Sequence, residues 1–377
     1  MVFASFNNII SSLGFSTLEN YEAVNKSIVG VKKRILPFSK EEFCVSQIEN
    51  DQIKSRFSEL GDEQLYTKLE QLSILSINDV LQKSGIDPKD SRTLLIYSTT
   101  KGNIDLLETP QNNLIDTKRV NLWSFANTLQ NYFNLSNTPV VVSNACISGI
   151  LAIIIAKRYI EKGLYDNIIV CGGDILSEFT LSGFKSFNAL SNEPSKPFDA
   201  KRTGINLGEA VSSILITNNS KLASVYNTQI ISGYSANDAN HISGPSRTGD
   251  GLYHCLKQLN ISETDSIGFI SAHGTATPFN DEMESIAFER ANLSNVFVNS
   301  LKGYYGHTLG AAGVLETVLS LESLKNQRLI KSEGFEEIGV SGKISLIKEH
   351  QNNTFSSFIK TASGFGGCNA AALFKKL

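Results

Sequence analysis

The sequence lacks the features of secreted and membrane-spanning proteins. Its five cysteines are odd in number and form no CxxC pair, which argues against a disulfide framework and against a zinc site. The longest apolar run, Gly149–Ala156, has only eight residues, whereas a membrane-spanning helix needs about 20. No lysine or arginine precedes Lys26, so the basic start of a signal peptide is missing. We therefore expect a cytoplasmic protein with no membrane span.

The sequence also lacks an excess of charge of either sign. Its 377 residues include 34 Lys and Arg against 37 Asp and Glu, a net charge of −3. Proteins that bind nucleic acid or anionic membranes usually carry a basic excess, so neither partner is expected. Hydrophobic residues make up 41% and charged residues 19%, a composition typical of a globular protein that buries a large core.

Continuous apolar runs predict buried strands in the first half of the chain. They are Thr93–Tyr97, Pro139–Ser143 and Ile168–Cys171, and the run Ser148–Glu161 between the last two has the length of a buried helix. Strands that alternate with helices indicate a parallel sheet covered by helices. Residues 40–85 are predicted to be mainly helical and polar.

The second half repeats this pattern. A small-residue helix is predicted from Leu309 to Leu324, and the predicted strands are Gly268–Ala272, Val296–Ser300, Lys343–Leu346 and Phe358–Ala362. We interpret the repeat as an internal duplication. The predicted halves are residues 1–219 and residues 220–377.

Cys146 is the candidate nucleophile. It lies in SNACISG, between a β-branched strand and the apolar helix. A thiol at a helix N-terminus is expected to have a lowered pKa, because the helix dipole favours the thiolate. A sharp strand-to-helix turn also presents a nucleophile outward. A buried structural cysteine is the alternative, and that is the expected role of Cys171, which lies inside an apolar strand.

Two histidines are candidates for acid–base or hydrogen-bonding roles. His273 opens HGTATP directly after a predicted strand, although a loop histidine bonded to the backbone is the alternative. His307 lies in KGYYGHTLGAAG at the start of a helix, where a neutral imidazole is expected. Lys302 and Glu316 flank His307 and could form a buried pair. The other histidines, at positions 241, 254 and 350, look ordinary by context.

A glycine-rich turn follows the last predicted strand. Gly364, Phe365, Gly366 and Gly367 are consecutive, and glycines permit positive φ and close backbone approach. Such a turn can aim an N–H at a developing oxyanion. A simple tight turn is the alternative.

These motifs together resemble the elongating β-ketoacyl-acyl-carrier-protein synthases of the thiolase-like superfamily. The match rests on NACISG, HGTATP, KGYYGHTLGAAG and GFGG, in this order, with further agreement in PFDAKRTG (197–204), LGEA (207–210) and DANH (238–241). The resemblance implies an α/β fold, a five-layered αβαβα sandwich of two duplicated halves, usually in a dimer. It also implies two partners, the acyl-loaded and the malonyl-loaded carrier protein.

The resemblance implies a role for each candidate. Cys146 would hold the acyl chain, and His273 and His307 would stabilise the enolate formed from the malonyl thioester. The N–H groups of Cys146 and Phe365 would form an oxyanion hole. Lys302 would order the site electrostatically. Supporting positions are Glu316 beside Lys302, Gly364 and Gly366 beside the gating Phe365, and Thr275, Thr277 and Ser243 against pantetheine. No metal and no cofactor of its own are implied, since phosphopantetheine arrives on the carrier protein.

Departures from the family pattern favour a specialised pathway. Asn144 stands where Thr or Ser is common, Thr203 replaces an Asp, and Asn188 stands where an Arg is often found. We therefore expect polyketide or aryl-polyene synthesis rather than housekeeping fatty-acid synthesis, in a homodimer or in a heterodimer with a ketosynthase-like subunit.

Two other functions compete with this one. A non-catalytic chain-length-factor-like subunit keeps the fold but usually loses the nucleophile, so Cys146 argues against it. A cysteine hydrolase using Cys146 and His273 would need neither His307 nor Lys302.

Overall fold

The computed structural model describes residues 1–108, 114–241, 244–261 and 266–377. The strands are β1 (Phe3–Ser11), β2 (Lys32–Ile35), β3 (Glu42–Ser46), β4 (Thr93–Ser98), β5 (Val140–Val142), β6 (Asn167–Asp174), β7 (Leu207–Gly208), β8 (Ala210–Thr217), β9 (Thr228–Asn237), β10 (Ile267–Ser271), β11 (Phe297–Asn299), β12 (Arg328–Leu329), β13 (Ser345–Leu346), β14 (Gln351–Asn352), β15 (Ser357–Gly364) and β16 (Cys368–Lys376).

Helices fill the connections between these strands. They are α1 (Thr17–Asn25), α2 (Asn50–Phe57), α3 (Lys68–Ser84), α4 (Leu122–Phe133), α5 (Ser148–Glu161), α6 (Glu178–Ser186), α7 (Ser220–Ala223), α8 (Asp250–Gln258), α9 (Pro278–Arg290), α10 (Lys302–Tyr305) and α11 (Ala312–Asn326). Short 3-10 helices occur at Glu63–Leu65, Ile104–Leu107, Thr117–Val120 and Leu309–Ala311. Within the described parts of the chain, none of the helices has the length and apolar character needed to cross a bilayer.

Two half-sheets share one topology. The first has the strand order β5-β4-β6-β8-β1, and the second has the order β11-β10-β15-β16-β9, with β13 added at its outer edge. In each half, the last strand in the chain (β8 or β16) runs antiparallel to both neighbours, while the other paired strands are parallel. This repetition confirms the predicted duplication, although the division between residues 219 and 220 remains a prediction.

The half-sheets stack on opposite sides of the helices α5 and α11. They join at one edge, where β1 and β9 pair only through Phe3 with Gln229 and Ala4 with Thr228. Helix α5 contacts β6 of one half and β9 and β16 of the other, and α11 contacts β8 and β15. Helix α3 covers the outer face of the first half-sheet and α8 covers that of the second. The five-layered αβαβα sandwich is therefore confirmed.

The two middle helices cross closely because glycines meet at their contact. A Cβ atom on Gly313 would lie 2.2 Å from the Ile150 nitrogen, and one on Gly149 would lie 2.9 Å from the Gly313 backbone. Residues Ala312–Leu324 of α11 are buried all round, as expected for a helix without a polar face. The crossing brings the turn before α5 close to the segment before α11.

Several element predictions were wrong in detail. Residues 40–85 contain the strand β3, and α3 begins only at Lys68, because Thr67 and Glu70 form a capping box there. The strand β16 was missed because its alanines have low β-propensity. It nevertheless pairs along its length with β15 and β9, so tertiary pairing overrides the local preference.

Candidate active site

Cys146 lies in a tight turn two residues before α5. Ala145 adopts a φ of 44°, a left-handed conformation that costs a residue with a Cβ about 1 kcal/mol. The Ser148 hydroxyl supports the turn, since it accepts a hydrogen bond from the Asn144 N–H (2.8 Å) and donates one to the Ala145 carbonyl (2.6 Å). The predicted order of strand, sharp turn and helix around Cys146 is confirmed, although the thiol is buried rather than exposed.

The expected lowering of the Cys146 pKa is wrong. Burial raises the pKa of this thiol to about 12, and the neighbouring Cys368 acts in the same direction, while Lys302 and Lys101 oppose the shift. Removal of the thiolate from water outweighs the helix N-terminus. The resting group is therefore a protonated thiol, which has to lose its proton when it reacts.

The structure brings the two predicted histidines to the thiol. His273 follows β10 and His307 follows α10, and their ring centroids are 5.1 Å apart with planes at 84°. The Cys146 Sγ and one nitrogen of each imidazole all lie within 4.8 Å of one another. Side chains from both halves of the chain therefore meet at one point.

Both imidazoles are neutral and have a ring nitrogen available. The Leu309 N–H donates to Nδ1 of His307 (3.3 Å), which places the proton on Nε2. Among the described residues, Nε2 of His307 and Nδ1 of His273 have no hydrogen-bond partner. Burial, reinforced by Lys302, holds the pKa of both histidines well below the usual value. The neutral state expected for His307 is thus supported, but it results from burial and the nearby lysines rather than from the helix N-terminus.

The loop that carries His273 is held by two carboxylates of α9 that the sequence analysis missed. Glu284 accepts hydrogen bonds from the N–H groups of His273 (2.8 Å) and Gly274 (2.6 Å). Asp281 accepts one from the Thr275 N–H (2.9 Å). Both carboxylates are fully buried. Two acidic residues three apart, just after a glycine-containing loop, were the signal that could have identified them.

A buried charge network lies behind the histidines. The predicted pair is present, with Lys302 Nζ 2.8 Å from Glu316 Oε1. A second lysine, Lys360 of β15, lies 2.6 Å from Glu316 Oε2. Burial would raise the pKa of Glu316, but the two lysines hold it below its usual value. Lys360 was missed, although a lysine within an otherwise apolar strand was a visible signal.

Cys146, His273 and His307 line a cavity of about 540 Å³. Thr275 and Thr277 line it, with their hydroxyl oxygens 2.8 Å apart. Phe365 also lines it and packs against Phe184 and Phe187, at centroid distances of 5.5 and 5.2 Å. The cavity wall is mostly apolar with a few polar groups, as is typical of a small-molecule site.

The glycine-rich turn approaches the nucleophile. A Cβ atom on Gly364 would lie 3.0 Å from the Cys146 nitrogen, and Gly366 adopts a φ of 82°. Close approach and positive φ therefore require glycine in this turn, so it is more than a generic tight turn. Ser243, predicted to contact pantetheine, lies outside the described residues.

Three residues that were given no role in the sequence analysis lie at the site. His241 and Asp238 line the cavity. Cys368 is the third, with its Sγ 3.3 Å from the Phe365 carbonyl oxygen, and it raises the Cys146 pKa. Sequence context could not reveal these positions, because they depend on the pairing of β16 with its neighbours. Cys171 is completely buried in β6, as predicted.

One thiol and two imidazoles are also donors that zinc prefers. Here, however, the buried ammonium groups of Lys302 and Lys360 lower the pKa of both histidines, and Lys302 also acts to lower that of the thiol. The same positive field would repel a divalent cation. The surroundings therefore suit a developing anion better than a metal.

Comparisons with known proteins show which family the chain resembles. Residues 39–221 match the family described as Beta-ketoacyl synthase, N-terminal domain, and residues 228–336 match its C-terminal domain. The "3-oxoacyl-[acyl-carrier-protein] synthase homolog" of Saccharomyces cerevisiae is 28% identical over 399 residues, covering 95% of this chain and 89% of that protein. The "Putative 3-oxoacyl-[acyl-carrier-protein] synthase, mitochondrial" of Schizosaccharomyces pombe is 33% identical over 262 residues, covering 62% of this chain and 60% of that one.

Solved structures share the fold over the whole chain. A chain of the complex between the ketosynthase ApeO and its chain length factor ApeC, from Xenorhabdus doucetiae, gives a TM-score of 0.88 at 23% identity, and the match covers 100% of this chain and 98% of that one. The ishigamide ketosynthase/chain length factor gives a TM-score of 0.88 at 20% identity, covering 100% and 99%. The fold is thus thiolase-like. With both family domains matched in order, the chain belongs to the β-ketoacyl synthase family.

Proposed function

We propose that the chain is a decarboxylating condensing enzyme, a 3-oxoacyl-acyl-carrier-protein synthase that joins an acyl group held on Cys146 to a malonyl unit. The observation that carries the proposal is the meeting of the Cys146 thiol, His273 and His307 within 4.8 Å in the wall of the cavity. A nucleophile beside two neutral imidazoles suits covalent capture followed by stabilisation of an anion.

The first half-reaction loads the nucleophile. The Cys146 sulfur forms a bond to the carbonyl carbon of the acyl thioester, and the bond from that carbon to the carrier's sulfur breaks. The thiol proton passes to the departing carrier thiolate as the tetrahedral intermediate collapses. The N–H groups of Cys146 and Phe365 would stabilise the tetrahedral oxyanion, helped by the close approach of Gly364 to the Cys146 nitrogen.

The second half-reaction forms the new carbon–carbon bond. The Nε2–H of His307, together with His273, would donate to the carbonyl oxygen of the malonyl thioester. As carbon dioxide leaves, the electrons of the broken bond pass into an enolate held by these donors. The enolate carbon attacks the acyl carbon on Cys146 and releases the thiolate, which recovers a proton. Removal of a single such donor typically costs about 10²–10³ in rate.

The partners follow from this chemistry. We infer that acyl-loaded and malonyl-loaded carrier proteins deliver phosphopantetheine thioesters past Thr275 and Thr277, so the chain needs no cofactor of its own. A dimer is proposed, either with a second copy or with a ketosynthase-like subunit, because ApeO pairs with a chain length factor. A specialised cytoplasmic pathway remains the proposed setting. The chain-length-factor alternative is disfavoured because the nucleophile and both histidines are in place.

Intact-protein mass spectrometry after incubation with acyl-carrier protein tests the proposal. We expect one acyl adduct, which peptide mapping places on Cys146 and which Cys146→Ala abolishes. Cys368→Ala is the matched control and keeps the adduct. No adduct on Cys146, alone or with a partner subunit, would contradict the proposal. Release of free acid without malonyl-dependent extension would instead support a hydrolase.

A further inference from the structure

Lys360 carries a buried ammonium group that takes part in neither half-reaction described above. It lies in the middle of β15 with no exposed surface. Its Nζ donates hydrogen bonds to the carbonyls of Ser271 (3.0 Å), Ala272 (3.3 Å) and Thr361 (2.5 Å). Its Nζ also forms an ion pair with Glu316, 2.6 Å from Oε2. Two of the three carbonyls immediately precede His273 in the chain.

The segment from Ser271 to Gly274 is therefore held from both sides. Lys360 binds its carbonyl groups, and Glu284 binds the N–H groups of His273 and Gly274. Thr361, the neighbour of Lys360, donates to the same Glu284 carboxylate (3.2 Å). The backbone under His273 is thus fixed by one cation and one anion from different elements.

The same lysine connects this segment to the one that carries His307. Glu316 lies between Lys360 Nζ (2.6 Å) and Lys302 Nζ (2.8 Å), and Lys302 is five residues before His307. Burying an ammonium group costs several kcal/mol unless its surroundings compensate, and apolar replacements of buried ion pairs are often tolerated. Because Lys302 already pairs with Glu316, a second buried ammonium group, that of Lys360, is not needed for packing or charge balance. Lys360 is therefore expected to have another role.

We propose that Lys360 is a positioning residue that fixes His273 relative to His307 through the backbone carbonyls before His273 and the shared Glu316. The proposal rests on the proposed function, because it assigns a purpose to the spacing of the two imidazoles. Lys360 touches neither substrate nor the reacting atoms. An error of about 1 Å in such a geometry can reduce a rate about 10²-fold.

The charge of Lys360 also acts on the histidines. The ionisable groups packed around His273 come from several elements, namely Cys146, Glu284, Lys302, His307, Glu316 and Lys360. Burial lowers the pKa of His273 first, and Lys302, His307 and Lys360 add to the shift. Removal of Lys360 therefore raises the pKa of His273 and of His307. It leaves Cys146 largely unaffected, since Lys302 and Lys101 are the lysines that influence the thiol.

Lys360→Met tests the proposal, and it leaves the Lys302–Glu316 pair intact. We expect malonyl-carrier decarboxylation to fall by about 10- to 100-fold, with acylation of Cys146 within about threefold of the wild type. Lys360→Arg restores part of the loss, because the positive charge returns. The matched control is Lys157→Met, which removes another buried lysine, paired with Glu161 on α5, and leaves both half-reactions unchanged.

A second readout does not depend on turnover. Histidine side-chain NMR of the resting protein, assigned with His273→Gln, should show a raised pKa of His273 in Lys360→Met. In Lys157→Met the pKa of His273 should equal that of the wild type. If the wild type fails to decarboxylate malonyl-carrier protein, the proposed function fails while this titration still decides the role of Lys360. Equal loss of both half-reactions with an unchanged His273 titration would overturn the proposal. If Lys360→Met does not fold, Lys360→Gln, which keeps an N–H donor, replaces it with the same criteria.

Discussion

The buried thiol makes a quantitative prediction about the reactivity of Cys146. Its pKa of about 12 is three units above the ordinary value of 9.0, and each unit is a tenfold change in thiolate population. At pH 8 an ordinary thiol is about 10% thiolate, whereas Cys146 is about 0.01% thiolate. Small alkylating reagents react with the thiolate, so the rate at Cys146 should be about a thousandfold below that of a free thiol.

Alkylation by iodoacetamide, followed by peptide mass spectrometry from pH 6.5 to 9, measures this fraction. The rate at Cys146 should rise about tenfold for each pH unit across the whole range, without a plateau. Lys302→Met removes a cation that favours the thiolate, so it should lower the rate further at every pH. A plateau below pH 8 would refute the reasoning, because it would mean that the helix N-terminus outweighs desolvation.

Three further predictions concern the histidines and the helix crossing. His307→Ala should abolish malonyl decarboxylation and leave acylation of Cys146 largely intact; equal loss of both would contradict the division of roles. Because the folded pKa of His273 and His307 lies below the usual 6.5, their contribution to stability is present above pH 6.5 and is lost as pH falls, by up to about 1.4 kcal/mol per pH unit for each group. Denaturant unfolding should show this slope in the wild type and a shallower one in a variant with both replaced by Gln. Gly313→Ala should lower the unfolding free energy by about 1–3 kcal/mol through overpacking, whereas Gly183→Ala, in open space on α6, should be neutral or stabilising.

The sequence was sufficient to select the candidate catalytic residues but not to predict the surroundings that set their properties. Cys146, His273 and His307 each lie in a short motif beside a strand or helix boundary, and local pattern was enough to select them. The Lys302–Glu316 pair could be predicted because both residues flank one histidine. The duplication also showed in the repeat of strand, turn and apolar helix.

Features that depend on distant packing could not be predicted. The pKa of Cys146 follows from everything that excludes water around it, and the helix dipole was the only contribution visible in the sequence. Lys360 reaches its partners only because β15 pairs with β10. The position of His241 in the cavity wall depends on the fold of its loop. Long-range neighbours decide all three, and local periodicity carries no information about them.

The central claim is that the thiol and the two histidines perform two successive half-reactions at one point. The most direct test isolates the enzyme acylated on Cys146 and mixes it with malonyl-carrier protein, following enzyme and carrier together by rapid-quench mass spectrometry. We predict that the acyl group leaves Cys146 at the rate at which β-ketoacyl-carrier protein appears, and that His307→Ala blocks this step. An acyl group that stays on Cys146, or leaves as free acid, would contradict the account.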